Sequence, residues 1–436
     1  MSTSPQTRRL SVATALAAAV LAASGTALPL SAASPAAPGS PDSKADPEDV
    51  QGADIVVKLD PASGYTAEDV TRDFPVRLQD DVLASRQIYL YRPTGPEDWD
   101  DDDEVEELAD DIEKHPGVLF AEPDLRTLLA DDHYHSWPAG TPEKVGPRSR
   151  KFLRQPLARQ FKLNRVHRIS RGAGVAVAVL DTGVARRHPV LQGRLRQGYD
   201  YVDDDGRPVD RARGLDGNAN GVVDEAFGHG TFVAGLVALV APDARVVPMR
   251  VLDSDGAGSV YLVAQAIWDA TDLGVDIINL SLGTPGRIES DLLDLAIKHA
   301  HDQGVEVVAA AGNSAQDKKA YPAQNKHVLS VTSVSVGRDS VSQFANWGGW
   351  VDVAAPASRV RGPVPARGFA TWAGTSMAAP QVSGQLALLI AAGADPGDRE
   401  KALQETAREF PEDEPKQIKH GTVDMLSSLR YVLARR

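Results

Sequence analysis

Continuous apolar runs alternate with helical patterns along the second half of the chain. Val175–Leu180 is one such run, and Ile277–Leu280 and Val305–Ala310 roughly repeat its texture. Runs of this kind are typical of strands buried on both faces of a parallel sheet. Helical patterns cover Val260–Asp272 and Glu289–His301. The alternation predicts an α/β fold, a doubly wound and mostly parallel sheet flanked by helices, with its chemistry at the carboxyl ends of the strands.

A smaller unit with a different pattern precedes this domain. Residues rich in β-branched and aromatic side chains predict strands over Ile55–Leu59, Gln87–Tyr91 and Val118–Phe120. Apolar positions at helical spacing predict an amphipathic helix over Glu104–His115. The pattern therefore predicts a small α+β domain over residues 51–131, with nothing in it that looks catalytic.

Segments without clear periodicity complete the predicted organisation. Residues 34–50 are rich in Pro, Ala, Ser and Asp and are interpreted as a disordered spacer. Residues 132–160 contain several prolines and are interpreted as the linker to the main domain, which is predicted over 161–430.

The amino terminus has the features of a signal peptide over residues 1–33. The positive pair Arg8-Arg9 precedes an alanine-rich apolar stretch, Leu10–Leu21, and Ser31-Ala32-Ala33 offers a cleavage site. A glycine and a proline interrupt the apolar run before it reaches the ~20 residues that a membrane span needs. We expect a secreted protein with no membrane span in its mature form. The general secretory and twin-arginine routes both stay open.

Composition excludes several classes of function. The chain has 436 residues and no cysteine, which excludes disulfides, thiol catalysis and thiolate metal sites. Its formal charge of −14 argues against nucleic-acid binding, because contact with phosphates needs a cationic surface. The one basic run, Arg148–Arg171, has little aromatic interleaving and is interpreted as an accessible linker rather than a binding arm.

Four polar residues stand where an α/β domain would place its chemistry. Asp181 directly follows the first buried strand, where it could orient an imidazole or simply cap a turn. His229 begins a buried helical pattern between two glycines and could be a general base or a core histidine. Ser376 lies in the first turn of another helix, where the helix dipole favours an oxyanion, or it could simply cap the helix. Asn313 follows a strand end and could cap a turn or donate to an oxyanion.

The four motifs together resemble the subtilase family of serine proteases. They read Asp181-Thr182-Gly183, Gly228-His229-Gly230-Thr231, Gly312-Asn313 and Gly374-Thr375-Ser376-Met377-Ala378, in that order along the chain. The resemblance covers about Phe161–Leu429, and residues 54–130 resemble the family's inhibitor-type propeptide more weakly.

The resemblance implies a serine endopeptidase made as a preproprotein, a zymogen with protein or peptide substrates. Asp181, His229 and Ser376 would form the triad, with Asn313 as an oxyanion donor. The substrate would add as a β-strand between two segments, and the propeptide would be an intramolecular inhibitor and folding aid. We expect a monomer that does not bind nucleic acid. The two substrate-binding segments match Gly256-Ala257-Gly258 and Ser281-Leu282-Gly283.

Two positions depart from the family pattern. Phe232 stands where the family often has a second histidine, and Val190 replaces the aspartate that often ligates calcium. A different loop has oxygen ligands at alternate positions and a glycine at the sixth, so it is either a calcium site or a polar surface loop. The candidate ligands in that loop are Asp216, Asn218, Asn220, Val222 and Asp224.

Two other functions and the processing site stay open at this stage. The alternatives are a subtilase-like binding or chaperone module that has lost activity, and a cytosolic maturation protease that keeps its first segment. The maturation cut is expected between Ala130 and His135, and Arg150-Lys151 could be a second trimming site. The sequence also leaves open that the prodomain stays attached.

Overall fold

The structure is a computed structural model that describes residues 51–95, 102–129, 150–216, 221–284 and 289–436. The predicted signal peptide and spacer, and the predicted maturation region between Ala130 and His135, lie outside the described residues. No helix in the described part of the chain is long and apolar enough to cross a membrane.

Within its described residues, the amino-terminal domain consists of an antiparallel sheet and two α-helices. A core separate from that of the rest of the chain lies between this sheet and its helices. One strand was not predicted from the pattern, because only its first residue, Val76, is buried. In chain order the elements are β1 (Gln51–Leu59), α1 (Ala67–Asp73), β2 (Val76–Asp80), β3 (Ile88–Pro93), α2 (Asp102–Glu113) and β4 (Val118–Leu129).

The remaining described residues form the larger domain. Its first part comprises α3 (Arg150–Leu153), α4 (Pro156–Gln160), α5 (Leu163–Val166), β5 (Ala176–Asp181), β6 (Tyr199–Asp200), α6 (His229–Val240), β7 (Arg245–Arg250), β8 (Ala257–Ser259) and α7 (Val260–Asp272). Its second part comprises β9 (Ile277–Leu280), β10 (Leu282–Gly283), α8 (Asp291–Asp302), β11 (Glu306–Ala310), β12 (Val328–Val334), β13 (Val353–Pro356), β14 (Val360–Val364), β15 (Gly368–Trp372), α9 (Thr375–Ala391), α10 (Pro396–Gln404) and α11 (Met425–Ala434).

A seven-stranded parallel sheet is the centre of the larger domain. Its strand order is β13-β12-β11-β9-β5-β7-β6. Because successive side chains of a strand point to opposite faces, Val177 and Val179 pack with the apolar residues of α6 and α9, whereas Ala178 and Leu180 pack with those of α7 and α8. Helices on both faces of a parallel sheet confirm the predicted doubly wound α/β fold.

The end of the predicted linker belongs to the larger domain. Residues 150–160 form α3 and α4, and Phe152 and Leu157 are buried in the main core. Gln155 extends this attachment, since its side-chain amide both donates to and accepts from the backbone of Arg361 at 2.9 Å. The 132–160 linker prediction is therefore too long at its carboxyl end. Helices of four and five residues are too short to show a helical period in the sequence.

Candidate active site

A carboxylate and an imidazole are hydrogen-bonded at the carboxyl edge of the parallel sheet. Asp181 ends β5 and His229 begins α6, and both side chains are buried. The His229 Nδ1 atom lies 2.8 and 2.9 Å from the two carboxylate oxygens of Asp181. An ionised carboxylate only accepts hydrogen bonds, so Nδ1 carries the proton and Nε2 is left as the basic nitrogen. This is the tautomer that a general base requires.

Local backbone contacts fix this pair. The Thr182 hydroxyl accepts the Gly230 N–H at 3.0 Å, which ties the strand end to the first turn of α6. Gly183 has a φ of +93°, and a Cβ atom there would lie 2.9 Å from the Asp210 nitrogen. A side chain at position 183 would therefore be strained and would push the neighbouring loop away.

Asp210 is a buried carboxylate beside the helix start that carries His229. The sequence pattern did not reveal it. It accepts the Gly228 N–H at 2.9 Å, the Thr231 N–H at 3.2 Å and the Thr231 hydroxyl. These donors surround the start of α6, where orphan N–H groups favour an anion. Burial raises the pKa of Asp210 to about 7, against the lowering effect of these hydrogen bonds.

Ser376 lies in the first turn of α9 and is buried. Its hydroxyl donates to the Ser281 carbonyl at 3.4 Å, and the Ser281 hydroxyl donates to the Ser376 carbonyl at 3.1 Å. Ser281 directly follows β9, which is the neighbour of β5 in the sheet. The structure thus brings Ser376 to the same sheet edge as Asp181 and His229.

Asn313 adjoins the same helix start. Its side-chain carbonyl accepts the Thr375 N–H at 2.9 Å, while the Thr375 hydroxyl accepts the Gly312 N–H at 3.0 Å. The hydrogen bond to the amide oxygen fixes the orientation of the Asn313 side chain. It therefore also fixes the direction of the side-chain NH₂ group. An Asn oriented at a helix N-terminus is chemically suited to donate to an oxyanion.

The two segments predicted to bind substrate are occupied by the amino-terminal domain. Strand β4 pairs on one side with β8, matching Leu128 with Ala257, and on the other side with β10, matching Leu129 with Leu282. The Leu129 N–H also donates to the Gly256 carbonyl at 3.2 Å. The cleft therefore accepts an extended chain by backbone pairing, and its occupant here is the protein's own strand.

Two acidic residues of β4 contact the starts of two helices of the larger domain. The Glu122 carboxylate accepts the Ser290 hydroxyl at 2.6 Å and the N–H groups of Asp291 and Leu292 at 2.9 and 3.2 Å, at the start of α8. Asp124 accepts the Tyr261 N–H at 2.9 Å, at the start of α7. A carboxylate at a helix N-terminus is stabilised by orphan N–H groups and by the dipole.

Burial nevertheless raises the pKa of both carboxyl groups. The pKa of Glu122 is raised by burial more than its hydrogen bonds lower it. The pKa of Asp124 rises to about 7, again chiefly by burial, with the Tyr261 N–H and the Ser259 hydroxyl opposing the shift.

The candidate calcium loop is described only in part. Asn218 and Asn220 lie outside the described residues. The Asp224 carboxylate accepts the N–H groups of Arg213 and Gly214, each at 2.8 Å, and an oxygen of Asp216 accepts the Gly221 N–H at 3.0 Å. The carboxylate oxygens of Asp216 and Asp224 thus already accept backbone N–H groups. A calcium ion bound to them would have to share these oxygens with the N–H donors. Within the described residues, no three His, Cys, Asp or Glu side chains form a group that could hold a metal.

Comparisons with known proteins identify the family of this chain. Residues 172–419 match the model of the subtilase family. Thermitase from Thermoactinomyces vulgaris is 37% identical over 249 residues, which are 55% of this chain and 83% of thermitase. The thermophilic serine proteinase of Bacillus sp. (strain AK1) is 34% identical over 59% of this chain and 62% of its own length.

A solved structure is similar in fold. Fervidolysin from Fervidobacterium pennivorans, described as a keratinolytic enzyme related to subtilisin, superposes with a TM-score of 0.68. The sequences are 23% identical, and the match covers 88% of this chain and 62% of fervidolysin.

A doubly wound α/β sheet with a buried Asp–His pair and a helix-borne serine at one edge defines a class of serine hydrolase. The family match extends over more than half of the chain and contains these residues. The chain belongs to the subtilase family, and it is a subtilisin-like serine endopeptidase.

Proposed function

We propose that this protein is an exported proenzyme that cleaves proteins through Asp181, His229 and Ser376. The observation that carries the proposal is the buried hydrogen-bonded pair of Asp181 and His229 at the sheet edge that also holds Ser376. A binding module needs no imidazole held in the tautomer of a base. The arrangement is therefore best explained by nucleophilic catalysis.

The proposed reaction proceeds through an acyl-enzyme. The Ser376 Oγ atom attacks the scissile carbonyl while His229 Nε2 takes its proton, and Asp181 stabilises the resulting imidazolium. The imidazolium then gives the proton to the leaving amine, and the C–N bond breaks. Water activated by the same imidazole hydrolyses the ester and restores Ser376.

Two donors hold the negative charge of the tetrahedral intermediate in this proposal. They are the Ser376 N–H at the start of α9 and the Asn313 side-chain amide, whose carbonyl is fixed by Thr375. Donors placed in advance stabilise the developing charge without reorganisation, and loss of one typically lowers turnover ~10²–10³-fold. We expect Asn313→Ala to fall in this range.

The amino-terminal domain is proposed to be an inhibitory propeptide. Strand β4 fills the cleft between β8 and β10, so a substrate strand cannot enter while it is paired there. Glu122 and Asp124 add helix-capping contacts outside the cleft. Inhibition therefore rests on both the strand and the caps.

The register of β4 points to processing just after this strand. Leu129 pairs with Leu282, and the residue before Leu282 is Ser281, whose carbonyl contacts the Ser376 hydroxyl. The antiparallel register therefore runs toward Ser281 where β4 ends. This supports the predicted cut between Ala130 and His135, which we propose to be an intramolecular reaction. A cut at Arg150-Lys151 would instead break α3, which is anchored by Phe152.

The test is hydrolysis of casein and labelling by a fluorophosphonate, which reacts with an activated serine. The wild-type protein should do both, and Ser376→Ala should do neither. His229→Ala should lose most of both, because the hydroxyl alone is a weak nucleophile. A folded wild type that, after removal of the amino-terminal domain, neither cleaves casein nor takes up the label would contradict the proposal and favour a binding module.

A further inference from the structure

Phe232 occupies a tight aromatic site next to the proposed base. It lies three residues after His229 on α6, and its side chain is fully buried. The Trp372 ring, at the end of β15, is stacked on it with centroids 4.5 Å apart and planes inclined by 9°. Parallel stacking at this separation is a favourable aromatic geometry.

The other strand of the same hairpin also contacts the Phe232 ring. A Cβ atom on Gly362, in β14, would lie 2.5 Å from two carbons of that ring, so only glycine lets the strand approach this closely. One turn further along α6, a Cβ atom on Gly235 would meet Pro363 at 2.1 Å. The β14–β15 hairpin is thus seated directly on the helix that carries His229.

Trp372 links this helix to the nucleophile. It is the last residue of β15, four residues before Ser376 and three before the start of α9. Its ring is also nearly parallel to the His229 imidazole, with centroids 6.4 Å apart and planes inclined by 16°. The Trp372 indole therefore lies beside the His229 imidazole and is close in sequence to Ser376.

We propose that the stacked pair Phe232–Trp372 positions His229 relative to Ser376, and so sets the efficiency of proton transfer. The inference rests on the proposed function of the triad. Neither aromatic ring takes part in proton transfer, so both are positioning residues. Displacement of catalytic groups by ~1 Å can cost about a hundredfold in rate, whereas the pairing of substrate backbone with β8 and β10 would be untouched.

The variants are made in the full-length protein and are compared as the mature enzymes that result from it. Trp372→Leu and Phe232→Leu remove the stack while keeping an apolar side chain at each position. Trp372→Phe keeps an aromatic ring. Phe369→Leu is the matched control, because Phe369 is a buried aromatic residue of the same strand that contacts Phe152 and His188 instead. Measured quantities are kcat, KM, the inactivation rate with phenylmethylsulfonyl fluoride, and Tm.

We expect both stack-removing variants to lose ~10–100-fold in kcat and in inactivation rate, with KM within about twofold. Trp372→Phe should recover most of the loss, and the double Leu variant should be no worse than the worse single variant. Phe369→Leu should lower Tm without lowering kcat. Equal kcat losses in the Phe369 control, losses confined to KM, or wild-type kcat in Trp372→Leu would overturn the inference. A wild type that is itself inert would instead refute the proposed function.

Discussion

Leu129 of the amino-terminal domain pairs with Leu282 of the peptidase domain in an antiparallel ladder that ends beside the proposed nucleophile. On its other edge the same strand pairs with Ala257–Ser259. The cleft that should receive a substrate strand is therefore filled by the protein's own chain. The predictions below follow from this pairing and from the buried carboxylates around it.

The separately produced domain, residues 50–131, should inhibit the mature enzyme. Backbone pairing and the caps at α7 and α8 both depend on the folded prodomain surface. Leu129→Asp should weaken inhibition at least tenfold, because it places a charge in the apolar surroundings of the cleft. Inhibition constants with casein as the substrate measure this.

Glu68→Ala is the control for that experiment. Glu68 is an exposed acid on α1 of the same domain, so its loss changes the net charge by one unit, in the opposite direction, without touching β4. It should leave the inhibition constant unchanged. No inhibition by the wild-type fragment at micromolar concentration would contradict the propeptide proposal.

Inhibition should weaken as pH rises. The pKa of Asp124 is about 7 in the docked state, against an ordinary value of 3.8, so docking takes up a proton. A raised pKa favours the docked state at low pH, and this contribution is lost as pH rises toward about 7. The raised pKa of Glu122 acts in the same direction. The inhibition constant should therefore increase between pH ~5 and ~7.5 and level off above it.

Asp124→Asn is neutral throughout and should flatten this dependence, leaving only the slope due to Glu122. The comparison requires the inhibition constants of both prodomains across the pH range, since the activity of the enzyme itself also changes with pH. Tighter inhibition by the wild type at pH 8 than at pH 5 would show that the sign is wrong.

Asp210 should contribute to both stability and catalysis. Asp210→Ala leaves the N–H groups of Gly228 and Thr231 without their acceptor at the start of α6. Orphaned buried donors cost about 1–3 kcal/mol each, so we expect the free energy of unfolding to fall by about 2–4 kcal/mol. Activity should fall as well, because His229 is the first residue of that helix.

Asp210→Asn keeps one acceptor oxygen. It should therefore lose less stability and less activity than Asp210→Ala. Urea unfolding and casein hydrolysis of the three proteins check the order wild type, Asn variant, Ala variant. An Ala variant as stable as the wild type would contradict the assigned role of Asp210.

Calcium binding by the loop around Asp216 is tested by chelation. If the loop holds calcium, EDTA should lower the Tm of the wild type, since a ligand bound only to the folded state stabilises it. Asp216→Ala should have the lower Tm already and should not respond to EDTA. An unchanged wild-type Tm in EDTA would remove the calcium proposal.

The fold could be predicted from the sequence because its signals are local. The helix predicted over Val260–Asp272 is α7 with the same bounds, and the run ending at Leu180 is β5, an interior strand of the parallel sheet. The helix α7 is long enough to show a helical period in the sequence, and β5 is apolar enough to be recognised as a buried strand. The motifs around Asp181, His229 and Ser376 are likewise local, because each residue lies at the end of a strand or in the first turn of a helix.

The missed features depend on contacts between distant segments. Asp210 reaches the start of α6 across a long loop, so no spacing pattern marks it. Trp372 acquires its place only by stacking on Phe232 from another element. The caps by Glu122 and Asp124 cross between domains, and a sequence pattern shows neither domain docking nor burial of a charge.

The most direct test of the whole account is the intact mass of the purified full-length protein over time, beside Ser376→Ala. We predict that the wild type shortens to a species beginning between Ala130 and His135 and then hydrolyses casein, while the Ser376→Ala chain keeps its full mass and stays inert. A Ser376→Ala chain that shortens at the same site in the absence of other proteases would contradict the assignment of Ser376 as the nucleophile.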